Sequence, residues 1–192
     1  MQIVTYPHPT LRYRSKPIKR VDAELRAIVR GMFDLMYQAN GVGLAANQVD
    51  LPLRLFVANL AARPDEGEEL VFINPVISRP KGTDQADEGC LSLPELYGVV
   101  IRPKQVVINA YNLEGQEIRT PVTGLLARVV QHELDHLDGV LFVDRMSEGA
   151  QADIRGVLEE FELQFQSQRS SGQVPTNETI LARLSEWERK YT

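Results

Sequence analysis

Two histidines and a glutamate in the stretch Gln131–His136, which reads QHELDH, constrain this chain more than any other feature. Residues four apart on an α-helix share one face, with Cβ atoms about 5–6 Å apart. Two imidazoles so placed can bind one metal ion, and the adjacent Glu133 can reach a water molecule held there. The stretch therefore predicts a helix that presents two ligands of a catalytic metal site. The alternative is an exposed helix in which the two histidines occur by chance.

The apolar pattern around this motif predicts a helix over residues 124–137 with both histidines on its inward side. The inward stripe consists of Leu125, Val129, His132 and His136, at positions i, i+4, i+7 and i+11. Of the two acidic residues in the motif, Glu133 has the offset of a catalytic base. We expect Asp135 to face outward or to cap the helix.

A catalytic metal site takes three protein ligands and keeps one open position, so a third ligand is needed. The chain has one cysteine, Cys90, in a segment that reads EGCLS between strand patterns. A lone buried cysteine is usually a small hydrophobic residue, but beside two histidines its thiolate is a good ligand for a borderline or soft divalent ion. Gln48 ends the segment 41–48, and its amide can donate a hydrogen bond to a carbonyl oxygen.

Length and composition predict one soluble domain. The 192 residues are 43% hydrophobic, which is enough for a full core. The net charge of −5 argues against stable binding to nucleic acid, which usually needs a basic stripe. No stretch approaches the roughly 18 apolar residues that span a bilayer, and the N-terminus lacks a signal-peptide pattern. A single cysteine fits a reducing environment, so we expect a cytoplasmic protein with no membrane contact.

Hydrophobic periodicity predicts several short strands joined by tight turns, which favours antiparallel sheets. The strand patterns cover residues 53–59, 70–77, 99–101, 105–111 and 117–120. The second of these strands is expected to bend or end at Pro75, with a loop over 78–85. An amphipathic helix is predicted to begin at the N-cap Asp22 and to end at Asn40-Gly41, with the glycine as C-cap.

The C-terminal part of the chain is predicted to be helical. A helix is expected at about 148–166, a flexible linker at about 167–177 and a last amphipathic helix at about 178–191. We therefore expect a catalytic domain over residues 1–147 and a C-terminal helical extension over 148–192. The last helix is expected to pack on its own domain, although docking to a partner is an alternative.

Three other functions are compatible with parts of this pattern. A zinc peptidase would take its third ligand downstream, where Glu148 and Glu159 are formal candidates. A purely structural site would need a fourth ligand, and the only remaining histidine, His8, lies between two prolines far from the motif. A cysteine hydrolase would use Cys90 as nucleophile and would be insensitive to chelators, whereas we expect chelators to inhibit.

The segments 41–48, 88–92 and 131–136, which read GVGLAANQ, EGCLS and QHELDH, resemble the three signature motifs of the peptide deformylases. They occur in the same order and at similar separations. The resemblance implies a metal-dependent hydrolase that removes the formyl group from the N-terminal methionine of new bacterial or organellar polypeptides, releasing formate. It also implies an α+β fold, with mostly antiparallel sheets packed around the metal-binding helix, an N-terminal helix and a C-terminal helical extension.

The resemblance further implies a metal and its ligands. Cys90, His132 and His136 would bind one divalent ion, and Glu133 would act as general base and then as proton donor to the leaving amine. Fe(II) is the expected physiological ion, with Zn(II), Ni(II) or Co(II) able to substitute. The donor set taken alone would suggest zinc, so the expectation of iron rests on the family.

The same resemblance assigns the residues around the substrate. Gln48 and the backbone N–H of Leu91 would stabilise the oxyanion that develops on the formyl oxygen, and Gly43 would let the substrate backbone approach closely. The methionine pocket would be lined by Val42, Glu88, Leu125 and Val129.

Two positions depart from the family pattern, and one region varies within the family. Arg128 stands where an apolar pocket residue is expected, and Tyr97 stands where some members carry a substrate-binding arginine. Both bear on substrate affinity rather than on the reaction. The expected partners are N-formylmethionyl peptides, with a ribosome contact through residues 148–192 as a hypothesis.

Overall fold

A computed structural model describes residues 1–192. The strands are β1 (Gly43–Ala45), β2 (Leu55–Ala58), β3 (Leu70–Lys81), β4 (Asp84–Cys90), β5 (Leu93–Arg102), β6 (Gln105–Tyr111) and β7 (Glu117–Thr123). The helices are α1 (Ala23–Gln38), α2 (Gly124–Leu137), α3 (Glu148–Asp153), α4 (Arg155–Ser170) and α5 (Asn177–Tyr191). No helix is both long and apolar enough to cross a membrane.

Two antiparallel sheets surround α2, which confirms the predicted α+β fold. The larger sheet has the order β1-β2-β3-β6-β7, and β4 and β5 form a separate two-stranded sheet. Alternate residues of β6, such as Val106 and Ile108, face α2 and share a core cluster with Val130 and Leu137 of that helix. The helix that carries both histidines therefore lies against the inner face of the larger sheet.

Helix α1 packs on the opposite face of the larger sheet, at its β1-β2 end. Its start is as predicted, because the Asp22 side chain accepts a hydrogen bond from the Leu25 N–H at 2.9 Å. Its end differs, because Asn40 adopts the left-handed conformation expected of Gly41. Asparagine tolerates that conformation, and Gly41 is needed instead for space, since a Cβ there would lie 2.7 Å from Leu91 Cδ1.

Strands β3, β5 and β7 are longer than their sequence patterns, whereas β6 has its predicted bounds and β2 is shorter. The predicted loop over 78–85 was wrong, because β3 continues through Pro75 to Lys81 and β4 begins at Asp84. A bulge shifts the register between Ile73 and Val76, and it accommodates a proline that cannot donate a ladder hydrogen bond. Strand β1 was also unforeseen, since the pairing of Gly43 with Ala58 is a long-range contact.

The C-terminal extension is helical but differently divided. The predicted helix at 148–166 is interrupted at Ile154, and α4 runs on to Ser170. The predicted linker at 167–177 was therefore too long, because its first four residues continue α4 and only 171–176 connect it to α5. Helix α5 packs on its own domain, with Tyr191 in the same core cluster as α1. The division at residue 147 stays a prediction.

Replacing Leu184 of α5 by Ala is expected to lower the free energy of unfolding by about 2–5 kcal/mol. Leu184 is fully buried, so the shorter side chain loses apolar contacts and leaves a cavity. Urea unfolding followed by circular dichroism measures the change. Leu181→Ala is the matched control, because Leu181 lies on the same helix and is 47% exposed. Equal effects of the two substitutions on the free energy of unfolding would contradict the packing of α5 with Leu184 inward and Leu181 outward.

Candidate active site

Helix α2 places both histidines of the motif at the centre of the molecule. The rings of His132 and His136 meet edge to face with centroids 5.0 Å apart, as expected for residues i and i+4. His136 is 1% exposed, and His132 lies at the floor of an open cavity. Burial lowers the pKa of His136 well below its usual value, so this imidazole is neutral, as a metal ligand must be.

Cys90 reaches the two histidines from the end of β4. A shift in register between Gly89 and Cys90 pairs Cys90 with Leu93 and closes the β4-β5 hairpin over α2. The Cys90 Sγ lies 3.2 Å from His136 Nε2. One donor atom from each of Cys90, His132 and His136 lies within 4.8 Å of the others. The structure thus brings together all three predicted ligands, and this donor set suits a borderline or soft divalent ion.

Glu88 is buried behind His132 rather than simply lining the pocket. Its Oε2 lies 3.0 Å from His132 Nδ1, which leaves Nε2 to face Cys90 and is the usual support for a metal-binding histidine. Burial alone would raise the pKa of Glu88, but hydrogen bonds from His132 and Arg102 hold the pKa far below its usual value. Glu88 is therefore an anion that orients the imidazole.

The surroundings of His132 attract positive charge. Burial opposes protonation of this ring, yet hydrogen bonding to Cys90 and Glu88 raises its pKa to about 10. The Cys90 sulfur and the Glu88 carboxylate thus both favour positive charge at this ring. A divalent cation bound by Cys90 and His132 would replace that proton and satisfy the same groups.

An ion-pair network that the sequence did not reveal supports Glu88. Arg102 of β5 donates from Nη2 to Glu88 Oε2 at 2.9 Å and from Nη1 to Asp135 Oδ2 at 2.8 Å. Arg145 donates to the other oxygen of Asp135 at 2.6 Å. The expectation that Asp135 faces outward or caps the helix was wrong, because Asp135 is buried and two arginines from other elements compensate its charge. No local pattern could have identified these pairs.

Arg128 belongs to the same ion-pair network. Its Nη1 donates to Glu88 Oε1 at 2.7 Å and to the Val100 carbonyl at 3.1 Å, and its Nη2 donates to Asp84 Oδ2 at 2.9 Å. An arginine fits where an apolar residue was expected because its guanidinium has these acceptors. It thereby joins helix α2 to the β4-β5 hairpin.

Glu133 is buried beside the candidate ligands. It is 4% exposed, and its Oε2 makes no hydrogen bond within the protein. Burial raises the pKa of this carboxyl to about 7. A carboxyl group with a pKa near neutrality can both accept and donate a proton at physiological pH.

Gly43 makes room for that carboxylate. A Cβ at Gly43 would collide with Glu133 Oε1 and lie 3.0 Å from Val129 Cγ1. The resemblance to the family implies that Gly43 allows a substrate backbone to come close, and this stays a prediction. In this structure its missing side chain leaves space for Glu133, so the glycine is needed by the protein itself.

Replacing Gly43 by Ala is expected to lower kcat for amide hydrolysis by about tenfold or more, because the added methyl group displaces Glu133 from its position. The hydrolysis rate and the metal content of the purified variant are measured together. Gly156→Ala is the control, since a Cβ there meets nothing within 4 Å. Unchanged kcat in the Gly43 variant would show that the position of Glu133 is not critical.

The amide of Gln48 points toward the predicted ligands. Its Oε1 accepts a hydrogen bond from the Ala45 N–H at 2.8 Å, which directs its Nε2 toward Cys90 Sγ at 3.5 Å and Ser92 Oγ at 3.2 Å. The neighbouring Asn47 donates to the carbonyl of His136. The segment before Gln48 is thus tied both to the hairpin that carries Cys90 and to helix α2.

A cavity of about 660 Å³ opens over these groups. Its lining includes all the residues predicted to bind substrate, namely Val42, Gly43, Glu88, Leu125 and Val129. Val129 is buried, whereas Leu125 is 53% exposed and lies at the rim, so the prediction of a fully inward stripe was wrong at its first residue. Tyr97 is also exposed at the rim. A second cavity of about 620 Å³, beside α4 and α5, contains none of the three ligands.

Comparison with known proteins points to one family. The sequence model of the family described as polypeptide deformylase matches residues 1–152. A peptide deformylase of Rhodopirellula baltica is 52% identical over 192 residues, covering 100% of this chain and 96% of the relative. Peptide deformylase 1B, chloroplastic/mitochondrial, of Arabidopsis thaliana is 42% identical over 186 residues, covering 95% of this chain and 66% of the relative. A crystal structure of the Arabidopsis thaliana 1B protein with an inhibitor has a TM-score of 0.84 at 42% identity, covering 92% of this chain and 97% of that one.

Proposed function

This chain belongs to the polypeptide deformylase family of metal-dependent hydrolases, and we propose that it hydrolyses the N-formyl group from the formylmethionine that begins new polypeptides. The products are formate and a free methionyl N-terminus. The observation that carries the proposal is the convergence of Cys90, His132 and His136 at a cavity that Cys90, His132 and Glu133 line. That donor set leaves a position open, as a hydrolytic metal site requires.

A formate-release assay on a short N-formylmethionyl peptide tests this function. Formate is expected to appear in proportion to enzyme, to stop after treatment with a chelator and to return when a divalent metal is added back. The same peptide without its formyl group is the control, and it should not be cleaved. Cleavage of an internal peptide bond, or hydrolysis that a chelator does not affect, would contradict the proposal.

Fe(II) is the proposed physiological ion, with Zn(II), Ni(II) or Co(II) able to substitute. One thiolate and two imidazoles accept any of these ions, so the choice of iron rests on the resemblance to the family. Elemental analysis of protein purified without oxygen tests it. About one iron per chain is expected, whereas zinc alone under those conditions would contradict the proposal.

The chain's own residues would carry out the proton transfers. When bound, the divalent ion supplies Lewis acidity, which acidifies water and polarises the formyl carbonyl. Glu133 accepts a proton from the water whose oxygen attacks the formyl carbon. As the carbon–nitrogen bond breaks, Glu133 donates that proton to the leaving amine. The carboxyl is suited to both steps because burial raises its pKa to about 7.

Gln48 and Leu91 are proposed to stabilise the oxyanion. The Gln48 Nε2 lies 3.5 Å from the Cys90 thiol, and Leu91 follows Cys90 in the turn between β4 and β5. Donors from these two segments can converge on the formyl oxygen as negative charge develops there. Two donors held by different parts of the fold would be preorganised before substrate arrives.

The apolar part of the cavity is proposed to hold the methionine side chain. Val42, Leu125 and Val129 offer aliphatic surface beside His132, and methionine is a flexible apolar chain that fits such a surface. Glu88 also lines the cavity. Its carboxylate is not free to contact substrate, because it pairs with Arg102, Arg128 and His132. Substrate selection would therefore depend on the aliphatic residues.

The nearest alternative is a peptidase that takes its third ligand downstream. Its candidates, Glu148 and Glu159, are not among the residues that converge on the two histidines. A structural site that needs His8 is also disfavoured, because that ring packs edge-on against Phe165. The arrangement of donors thus favours a hydrolytic site completed by Cys90.

Partners and location follow from the proposed substrate. N-formylmethionyl peptides arise during synthesis of new chains, so we propose action in the cytoplasm and a ribosome contact through residues 148–192. Co-sedimentation with ribosomes, compared between the full chain and a chain lacking 148–192, tests the contact. Equal co-sedimentation of the two folded proteins would contradict a ribosome contact through the extension.

A further inference from the structure

The outer face of the larger sheet is covered at one end and open at the other. Leu55 and Ile73 on this face share a core cluster with α1. Tyr111 of β6 pairs with Ile73 and therefore lies on the same face, yet its side chain is 46% exposed. Over the rest of β6, over β7 and over the second half of β3, this face meets solvent.

Basic residues concentrate on the open part of that face. Arg79, Lys81 and Arg119 line a groove of about 320 Å³, together with Gln105, Val107 and Pro121, and no carboxylate lines it. All three cations are exposed, and none forms a salt bridge within the protein. In a chain with a net charge of −5, three unpaired cations in one groove create a local positive potential.

An exposed aromatic ring extends this basic groove. Tyr111 lies six residues along β6 from Gln105, a distance of about 20 Å, on the same side of the sheet. Val76 lies between them and is 57% exposed. Glu117 pairs with Tyr111 and is a carboxylate on this face, two residues along β7 from Arg119. Arg119 pairs with Asn109, two residues along β6 from Tyr111, so the cations extend from the Lys81 end of the face toward the ring.

We propose that this open sheet face binds a short run of single-stranded RNA. Unpaired cations that follow a phosphate backbone, together with an aromatic ring on which a base can stack, are the two parts of such a site. An acidic peptide would use the cations but would gain nothing from the ring. The choice of RNA over DNA rests on the proposed function, because new polypeptides emerge beside RNA.

The contact is weak and depends on salt. Three phosphate contacts to a single strand give a slope of log affinity against log salt of about −2. Affinity then falls about twentyfold between 50 and 200 mM salt. Such binding fits a protein that is acidic as a whole and that does not hold nucleic acid stably.

Fluorescence anisotropy with a labelled 15-nucleotide oligouridylate tests the proposal on the full-length protein. Saturable binding at low salt is expected, with the salt slope given above. The triple variant Arg79→Gln, Lys81→Gln, Arg119→Gln should lose at least about tenfold in affinity and most of the slope. Tyr111→Ala should lose about fivefold or more. Formate release from a short formylated peptide should be unchanged in both, which separates this proposal from the proposed function.

The matched control is Arg30→Gln, Arg155→Gln, Arg189→Gln, which removes three exposed cations elsewhere on the chain. This control variant has the same net charge as the triple variant of the basic groove. Nonspecific electrostatic attraction to RNA would therefore weaken equally in both. Equal losses, or no binding of oligouridylate at 50 mM salt, would overturn the proposal. Tighter binding of a poly-glutamate peptide or of duplex RNA would also overturn it. Thermal melting confirms that all variants are folded.

Discussion

Replacing Glu133 by Gln is expected to lower kcat for formate release by about 10²- to 10⁴-fold, while the protein keeps its metal. Glutamine has nearly the same shape, so it fits beside Gly43, but it can neither accept nor donate the proton. The raised pKa of the native carboxyl, about 7, is what allows one group to do both. Steady-state kinetics on a formylmethionyl peptide and elemental analysis of the same preparation measure the two effects.

Glu159→Gln is the control for that substitution, because Glu159 lies exposed on α4 and the chemical change is identical. Its kcat and its metal content should match those of the native protein. If the Glu133 variant retained a tenth or more of native turnover, its assignment as general base would be wrong. If it lost its metal, Glu133 would instead be part of the binding site.

Replacing Cys90 by Ala is expected to remove bound metal and to reduce formate release to background. The thiolate is the one anionic donor among the three candidate ligands, and it is the donor that closes the β4-β5 hairpin over α2. With two imidazoles left, affinity for a divalent ion should fall below what survives purification. Metal content per chain, measured beside that of the Glu133→Gln variant, checks this expectation directly.

The Cys90→Ala and Glu133→Gln variants together separate metal binding from proton transfer. Loss of metal only in the Cys90 variant and loss of turnover in both is the expected result. A Cys90 variant that retains one metal per chain would show that the site is completed by another donor. Activity that persists in a metal-free Cys90 variant would contradict a metal-dependent mechanism altogether.

Short-range sequence patterns were sufficient to predict the elements whose structure depends mainly on neighbouring residues. The helix over 124–137 was predicted with its observed bounds, because its apolar periodicity and flanking glycines act over one or two turns. The convergence of Cys90, His132 and His136 could be predicted because thiolate and imidazole chemistry narrows the choice of candidate ligands in a chain with one cysteine and three histidines. The N-cap Asp22 was recognised for the same local reason.

Interactions between distant residues could not be predicted. Asp135 looked like a surface residue because Arg102 and Arg145, its partners, are identified only by the fold. Residues 78–85 looked like a loop because their strand pairing depends on the register of β6 and β5. The close approach of Gly43 to Glu133 was not foreseen, because nothing in the sequence places these two residues together. In each case the decisive contact joins separate elements of the fold.

The contact between the two ends of the chain bears on how the enzyme is made. Tyr191 donates a hydrogen bond to Asp22, the cap of α1, at 2.9 Å, and its ring is 1% exposed in the core beside that helix. Chains are synthesised from the N-terminus and fold in that order where they can. The α1 side of the core therefore stays incomplete until α5, with Tyr191, has been synthesised. The N-terminal helix of this enzyme gains its full packing only after that late helix has folded onto it.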